Sequence, residues 1–254
     1  MGKIIALANQ KGGVGKTTTS INLAAGLAYL GKKVLLVDLD PQANATQGIG
    51  VREEIRKSTY DLLLRDAEPG ECIITKRIPP LDIIPATIDL AGSDLEMANY
   101  DQNRDKLLKA KLTPLKEKYD YILIDCPPTL GLFNTNALTA ADSVIIPVQC
   151  EYYALEGLTQ LLASIRMVQK VSNPKLYIEG VLLTMYDART KLSVEVQQEV
   201  RKYFKERVYR SYIPRNIRLS EAPSYGKSIF EHDIKSEGAR AYAALAKEVI
   251  TKNS

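Results

Sequence analysis

A short apolar run that passes into a glycine-rich turn constrains this chain more than any other feature. Residues 4–8 read Ile-Ile-Ala-Leu-Ala, which predicts a buried strand, and residues 12–15 read Gly-Gly-Val-Gly. Lys16 and Thr17 then open a segment whose apolar spacing is typical of a helix. A strand, a glycine-rich loop and a helix N-terminus in this order predict a phosphate-binding element.

The chemistry of phosphate binding assigns a task to each residue type in this loop. Glycines allow backbone N–H groups to close around phosphate oxygens. The Lys16 ammonium is placed for the β- and γ-phosphates, and the Thr17 hydroxyl is placed for Mg²⁺. The predicted nucleotide-binding residues of the loop are Gly12, Gly13, Val14, Gly15, Lys16, Thr17 and Thr18.

The loop departs from the usual phosphate-loop spacing at one position. Gln10 stands where the pattern G-x-x-x-x-G-K-[ST] requires glycine, and a second lysine, Lys11, begins the loop. Residues 11–18 resemble the deviant Walker A motif of the ParA/MinD family of ATPases. Residues 37–42 and 122–128 are similar to the second acidic motif and the Walker B strand of that family. The resemblance runs essentially from end to end, and it is strongest with the short, chromosomally encoded ParA (Soj) proteins.

Apolar runs that alternate with amphipathic stretches indicate the fold class. We predict further strands at residues 33–38, 81–86, 121–125, 143–148, 180–185 and 208–213. We predict helices at residues 60–64, 90–115 and 132–141, one ending near 168, and one at 239–250. This alternation predicts an α/β fold with a doubly wound, mostly parallel sheet, helices on both faces and right-handed crossovers. Because no Pro/Ser-rich linker interrupts the alternation, we expect a single domain over residues 1–254.

Composition excludes several kinds of site. The three cysteines show no metal-binding spacing, His232 is the only histidine, and no run of eighteen apolar residues is present. A histidine-based catalytic triad, a histidine-rich metal site and a membrane span are therefore not expected. Reduced thiols in the cytoplasm are expected instead.

Carboxylates follow two predicted strands at the edge where open α/β sheets bind ligands. Asp125 ends one of these strands and is suited to hold a Mg²⁺-bound water. Asp38 ends another and either supports the Mg²⁺ shell or is a helix cap or strand-end carboxylate. Asp40 is the candidate for orienting the attacking water, a role that the matching aspartate has in the ParA/MinD family. The predicted metal-binding residues are Thr17, Asp38 and Asp125, and the predicted catalytic residues are Lys11, Lys16 and Asp40.

The resemblance also implies how the nucleotide is held and what it joins. Met185, Pro214 and Asn216 match the residues that lie against adenine in the family. Lys11 matches the lysine that reaches the phosphates of a partner subunit, which implies an ATP-bridged homodimer. Slow, Mg²⁺-dependent ATP hydrolysis that a partner stimulates would follow from this arrangement. Glu151 has two interpretations: contact with the ribose or the dimer partner, or a solvent-facing or capping role.

Positive charge is concentrated in one segment of the chain. Residues 187–227 hold ten basic and five acidic side chains, a net charge of +5 against +4 for the whole chain. Localised positive charge suits a surface that contacts phosphate backbones. The candidate DNA-binding residues are Arg189 and Arg218, which match DNA-binding positions of short ParA proteins, together with Lys191, Arg215 and Lys227. An ordinary solvated basic face is the alternative interpretation.

The resemblance implies a nucleoid-associated DNA-partitioning ATPase. Its ATP-bound dimer would bind double-stranded DNA non-specifically, and a ParB-type centromere-binding protein would stimulate hydrolysis and release it. The alternative is a MinD-like membrane-associated regulator, which requires a C-terminal amphipathic helix, whereas residues 246–254 are short and lightly apolar. An iron–sulfur ATPase would require bridging cysteines, and neither Cys126 nor Cys150 lies in a cluster motif.

Overall fold

The computed structural model describes residues 1–77, 80–99, 103–129, 131–151 and 156–253. Within these residues one seven-stranded sheet has the order β3-β4-β2-β5-β1-β6-β7. The strands are β1 (Lys3–Leu7), β2 (Val34–Asp38), β3 (Ile74–Arg77), β4 (Pro80–Ile84), β5 (Tyr121–Asp125), β6 (Ser143–Gln149) and β7 (Tyr177–Thr184). All neighbours are parallel except β3, which pairs antiparallel with β4 at the edge. The predicted doubly wound, mostly parallel α/β fold is confirmed.

Helices surround the sheet and bury both of its faces. The helices among the described residues are α1 (Lys16–Tyr29), α2 (Asn44–Gly48), α3 (Thr59–Leu64), α4 (Pro69–Cys72), α5 (Ser93–Ala98), α6 (Leu107–Leu112), α7 (Leu132–Ala140), α8 (Glu156–Val171), α9 (Lys191–Phe204), α10 (Ile217–Glu221), α11 (Ile229–His232) and α12 (Glu237–Lys252). Successive residues of β1 enter opposite cores, Ile4 on one face and Ile5 on the other. A strand buried on both faces is continuously apolar, which explains the uninterrupted run at 4–8.

Strand register brings residues that are distant in sequence to one line at the edge of the sheet. β5 lies between β1 and β2, and Asp125 is the register partner of both Leu7 and Asp38. The phosphate loop leaves β1 at this line. The carboxylates that end β2 and β5 therefore lie beside the loop, at the carboxyl edge where parallel sheets bind ligands.

The predicted strand at 208–213 is wrong. Only isolated bridges are present here: Val208 pairs with Val181 in the middle of β7, and Pro214, just beyond the segment, pairs with Tyr186, two residues past the end of β7. The backbone amides of Arg210 and Ser211 donate instead to the two carboxylate oxygens of Glu248 on α12, each at 2.9 Å. A side chain from another helix thus takes the donors that a regular ladder would need.

The predicted helical region at 90–115 is shorter and interrupted in the structure. It contains α5 and α6, and its residues 100–102 lie outside the described residues. Asn103 has a φ of +62°, a left-handed conformation that cannot continue a helix. The sequence interpretation also missed β3, whose polar residues Thr75, Lys76 and Arg77 are common on exposed edge strands.

Helix α12 packs its apolar face on α1. Leu245, Ala246 and Val249 are completely buried. A Cβ added at Gly26 of α1 would lie 3.3 Å from the Cβ of Ala246, so the two helices approach closely. Among the described residues, no helix has the length and apolarity that a transmembrane span needs.

The close contact between β7 and Tyr209 generates a stability prediction. A Cβ at Gly180 would lie 2.3 Å from the Tyr209 ring, which is 1% exposed. We expect Gly180→Ala to lower the free energy of unfolding by about 1–3 kcal/mol through overpacking. Gly70→Ala, where an added Cβ meets nothing within 4 Å, is the control. Urea denaturation measures both variants, and equal stabilities would contradict the prediction.

Candidate nucleotide-binding site

Two buried side chains fasten the glycine-rich loop to the sheet. Asn9 Nδ2 donates to the Pro147 carbonyl at 2.7 Å, and Asn9 Oδ1 accepts from the Lys11 amide at 3.1 Å. Thr184 Oγ1, at the end of β7, donates to the Val14 carbonyl at 2.8 Å. The loop is therefore held by β6 on one side and by β7 on the other. The protein itself fixes the loop conformation.

The glycines of this loop leave a cradle open. Gly13 and Gly15 have φ values of +75° and +82°, which glycine adopts without strain. A Cβ added at Gly12 or Gly13 would meet nothing within 4 Å. Gly15 is the N-cap of α1 and provides no side-chain cap for its first amides. Uncapped N–H groups beside an open cradle fit a phosphate group.

Lys16 points into this cradle from a buried position. Its side chain Nζ donates to the Lys11 carbonyl at 3.2 Å, and the residue is 7% exposed. Burial lowers the pKa of Lys16, and the nearby charge of Asp125 acts in the opposite direction. A desolvated ammonium gains from an anionic partner such as a phosphate.

The surroundings of the Asp125 carboxylate indicate whether a metal ion can bind here. The residue is fully buried, and its Oδ1 accepts from Ser20 Oγ at 2.7 Å. Its Oδ2 has no hydrogen-bond partner. Burial and then the proximity of Asp38 raise the pKa of the Asp125 carboxyl, whereas hydrogen bonds from Ser20 and Thr17 lower it. An unpartnered buried carboxylate oxygen beside the Thr17 hydroxyl fits Mg²⁺ or a water bound to it.

Phosphate oxygens and waters would have to complete the Mg²⁺ shell. Among the described residues, no group of three or more His, Cys, Asp or Glu side chains is arranged to hold a metal alone. Mg²⁺ is usually held by one or two protein ligands together with phosphates and waters. Thr17 and Asp125 match this pattern.

The two other aspartates have different surroundings. Asp38 is fully buried and accepts from the Thr46 amide at 2.8 Å, from the Thr46 hydroxyl at 2.7 Å and from the Asp40 amide at 3.2 Å. Burial raises its pKa, and the Thr46 hydrogen bonds oppose that change. Asp38 thus anchors the start of α2, and its place in the Mg²⁺ shell stays a prediction. Asp40 accepts from the Gln42 amide at 3.0 Å and is close enough to Lys16 for their charges to interact.

A cavity of about 410 Å³ adjoins the phosphate loop. The structure brings the three predicted base-contacting residues, Met185, Pro214 and Asn216, into its lining beside Gly15 and Thr18. Asn216 Oδ1 is buried and has no hydrogen-bond partner. An unused amide group in a cavity next to a phosphate cradle fits a nucleobase, although adenine contact itself stays a prediction.

Lys11 forms an ion pair with Glu151, the residue for which the sequence left two interpretations. The two side chains are 33% and 35% exposed. A pair this exposed contributes at most about 1 kcal/mol. The Lys11 carbonyl lies beside the Lys16 ammonium, and the Lys11 side chain can exchange its partner at little cost.

The basic candidates lie on the surface, and three of them contact carboxylates. Arg189 pairs with Asp187 at 2.7 Å, Arg218 pairs with Glu221 at 2.8 Å, and Lys191 pairs with an acid one turn along α9 at 3.5 Å. Each of these pairs is exposed and weak. All five candidates are exposed: Arg189, Lys191, Arg215, Arg218 and Lys227.

Two of the basic segments meet near the start of α12. Arg189 and, more weakly, Arg215 lower the pKa of the Asp187 carboxyl to about 2. Arg218 lies 3.6 Å from Asp233, which precedes α12 closely. The fold therefore brings residues near 189 and residues 215–218 to one region of the surface, although they are separated in sequence by helix α9.

Comparison with known proteins decides the family. A family model described as an AAA domain matches residues 2–178. The sporulation initiation inhibitor protein Soj of Bacillus subtilis is 59% identical over 250 residues, which are 98% of each chain. The chromosome partitioning protein ParA of Myxococcus xanthus is 51% identical over 255 residues, covering 100% of this chain and 90% of ParA. The chain belongs to the ParA/MinD family, in its ParA (Soj) branch.

Solved structures of similar chains support this membership. A cobyrinic acid a,c-diamide synthase from Mycobacterium smegmatis, with bound ADP and magnesium, superposes with a TM-score of 0.86 at 38% identity, over 98% of this chain and 94% of its own. A protein of Borrelia burgdorferi that is described as a plasmid partition protein and is bound to AMPPNP superposes with a TM-score of 0.84. It is 28% identical, over 100% of both chains. The resemblance predicted from residues 11–18, 37–42 and 122–128 is confirmed.

The sequence interpretation of this ParA-family chain missed the side chains that hold the site together. Asn9, Ser20 and Thr46 are buried and bond to loop or carboxylate groups of the site. Their signal in the sequence is weak. Ser20 is a polar residue on the inward side of an otherwise apolar helix, which indicates a buried hydrogen bond but does not identify its partner.

The unpartnered oxygen of Asp125 generates a prediction about metal dependence. Asp125→Asn keeps an acceptor for Ser20 and removes the charge. We expect the Mg²⁺ concentration for half-maximal ATP binding to rise by about tenfold or more, because a charged oxygen beside the ion is lost. A fluorescent ATP analogue titrated with MgCl₂ measures this effect. Asp120→Asn, an exposed site just before β5, should behave as the parent, and an identical Mg²⁺ response in both variants would refute the assignment.

Proposed function

We propose that this protein is a DNA-partitioning ATPase that hydrolyses ATP with Mg²⁺ as a dimer bridged by the nucleotide. One observation carries the proposal: a second lysine, Lys11, begins the phosphate loop, and its carbonyl accepts from the buried Lys16 that the loop already contains. Two relatives named for chromosome partitioning, ParA of Myxococcus xanthus and the ATPase Soj of Treponema pallidum, are 51% and 49% identical to this chain and support the assignment.

The residues of the cradle have distinct tasks in this proposal. The amides of residues 12–15 and the Lys16 ammonium bind and orient the β- and γ-phosphates. Thr17 and Asp125 hold Mg²⁺, which supplies neutralisation of phosphate charge when it is bound. Asp40, two residues after the end of β2, orients the attacking water. Such a site works by positioning and electrostatics and needs no covalent intermediate.

Lys11 couples the chemistry to assembly. Its ammonium would leave Glu151 and reach the phosphates bound by a second copy of the chain. A charge that arrives from a partner makes hydrolysis dependent on dimer formation, as an arginine finger does. Hydrolysis is then slow in the isolated chain and open to stimulation, which suits a switch.

In this proposal the bound nucleotide controls the non-specific binding of double-stranded DNA. Arg189, Arg215 and Arg218 lie in one region of the surface, and their acidic neighbours bind them only weakly. Lys191 and Lys227 extend this basic surface. Cations of this kind contact phosphates without reading sequence. The dimer would thus associate with the nucleoid in the cytoplasm, and a ParB-type centromere-binding protein would stimulate hydrolysis and release it.

The membrane-associated alternative is less well supported. The apolar residues of α12 that would enter a membrane, such as Leu245 and Val249, are buried against the rest of the chain. The name of the diamide synthase from Mycobacterium smegmatis gives no second function here, because that chain is 38% identical while the relatives named for chromosome partitioning are 51% and 49% identical.

Size-exclusion chromatography with ATP or ADP tests the nucleotide bridge. We expect Asp40→Ala to form a stable dimer with ATP and a monomer with ADP, because the bridge forms and hydrolysis no longer dissolves it. Lys11→Ala should remain monomeric with both nucleotides and lose stimulated hydrolysis. Lys32→Ala, on the amino-terminal side of the sheet, is the control lysine and should match the parent. A Lys11→Ala protein that pairs and turns over ATP like the parent would refute the bridge.

Salt-dependent DNA binding tests the basic surface. Arg189→Ala and Arg218→Ala should each weaken binding of the ATP-bound protein to unrelated duplexes by a similar factor. Each should also reduce the slope of log affinity against log salt by about one, the contribution of one phosphate contact. Fluorescence anisotropy over a salt series measures both quantities. Arg166→Ala on α8 should leave the slope unchanged, and slopes unchanged in all three variants would contradict the proposal.

A further inference from the structure

Two loops contact each other along a seam. One loop follows α2, close to Asp40, and the other lies in the basic segment, residues 187–227. The first loop, residues 49–50, follows α2, and the second, residues 222–226, follows α10. Gly50 and Gly226 have φ values of +76° and +61°. A Cβ at Gly50 would lie 2.6 Å from the Gly226 carbonyl oxygen, and a Cβ at Gly226 would lie 2.7 Å from Gly50 Cα. The two backbones touch directly, with no side chain between them.

Lys76 on the edge strand β3 joins both sides of this seam. Its ammonium donates to the Ile49 carbonyl at 2.5 Å and to the Gly226 carbonyl at 3.0 Å. It also forms an ion pair with Glu231 at 3.1 Å, and the two side chains are 18% and 14% exposed. One partly buried cation thus has three acceptors, one after α2 and two in the segment that follows α10. Charge-assisted hydrogen bonds of this kind are about twice as strong as neutral ones.

The first side of the seam is fixed to the nucleotide site. Thr46 of α2 donates its amide and its hydroxyl to Asp38, and the Ala43 amide donates to the Asp40 carbonyl at 2.8 Å. α2 is only five residues long and ends at Gly48. Because α2 is bonded to Asp38 and to the Asp40 backbone, we expect a displacement of Asp40 to be passed through this short helix to residues 49–50.

The second side of the seam is fixed to the basic segment. Residues 222–226 follow α10, which carries Arg218, and Lys227 comes directly after Gly226. Glu231, the third partner of Lys76, accepts through its other oxygen from the Ser228 amide and hydroxyl, both at 2.9 Å. Arg218 and Lys227 therefore stand on a segment that Lys76 holds against α2.

We propose that Lys76 is a positioning residue that couples the Asp40 loop to the basic segment, so that the nucleotide state and DNA binding affect each other through it. The inference rests on the proposed function for the identity of the ligand at the basic segment. Coupling between two sites is reciprocal, so DNA bound at this segment biases the position of Asp40 to the same extent. The partners of the ammonium are Ile49, Gly226 and Glu231, so it acts through the two loops.

Three variants separate coupling from stability. Lys76→Met removes the ammonium and keeps the aliphatic stem, whereas Lys76→Arg keeps the charge and the donors. Lys57→Met is the matched control, because Lys57 pairs with the single carboxylate of Glu71 at 2.5 Å and contacts no part of the seam. Duplex DNA affinity is measured for each protein with ADP and with AMPPNP. The quantity of interest is the ratio of the two affinities.

We expect Lys76→Met to reduce this ratio by at least about fivefold, the lower range of typical allosteric coupling. ATP binding and ATP-dependent dimer formation should persist. Lys76→Arg should recover most of the ratio, and Lys57→Met should equal the parent. A Lys76→Met protein with the parental ratio would overturn the inference. If Lys76→Met does not fold, Glu231→Gln replaces it, since glutamine retains the cap on Ser228 and removes the charge.

Hydrogen exchange gives a readout that does not depend on DNA. In the parent, replacing ADP by AMPPNP should change protection both in residues 44–51 and in residues 215–231. In Lys76→Met the change should remain in the first segment and disappear from the second. Changes in both segments of the variant would overturn the inference. A parent that binds no DNA with either nucleotide would refute the proposed function, and hydrogen exchange would still decide the role of Lys76.

Discussion

The structure depends on keeping opposite charges desolvated at one edge of a buried parallel sheet. Asp38 and Asp125 are completely buried, and Lys16 is 7% exposed. Burial of an unpaired charge is costly, so each of these groups needs hydrogen bonds or an opposite charge. Ser20 and Thr46 satisfy part of this need. Asp125 Oδ2 still has no hydrogen-bond partner, and a bound metal ion with its phosphate would supply the missing opposite charge.

This requirement organises the connections around the sheet. Because Asp38 is satisfied by Thr46, α2 must begin directly beside the end of β2. Because the loop after β1 must stay open, it is held from outside: Asn9 donates to Pro147 of β6, and Thr184 of β7 donates to Val14. The same short α2 then touches the loop that follows α10. A site built this tightly transmits displacement, since packed elements move as units.

Strong and weak interactions are separated in space. The buried hydrogen bonds around Asp38 and Asp125 are costly to break, because either partner would be left unsatisfied. The pairs Lys11–Glu151, Arg189–Asp187 and Arg218–Glu221 are exposed and contribute little. The groups that must exchange partners during a nucleotide cycle are thus the ones held weakly. The scaffold that positions them stays fixed.

The sequence by itself determined the fold class, the phosphate loop and the carboxylates at the strand ends, because these features follow from local periodicity and from residue types at short spacing. It predicted a strand at 208–213 that does not form, since Glu248 takes the backbone amides from 38 residues away. Only the tertiary structure decided the contact of Gly50 with Gly226 and the three acceptors of Lys76. Those contacts join segments up to 176 residues apart, and no local pattern in the chain encodes which distant backbone will meet which side chain.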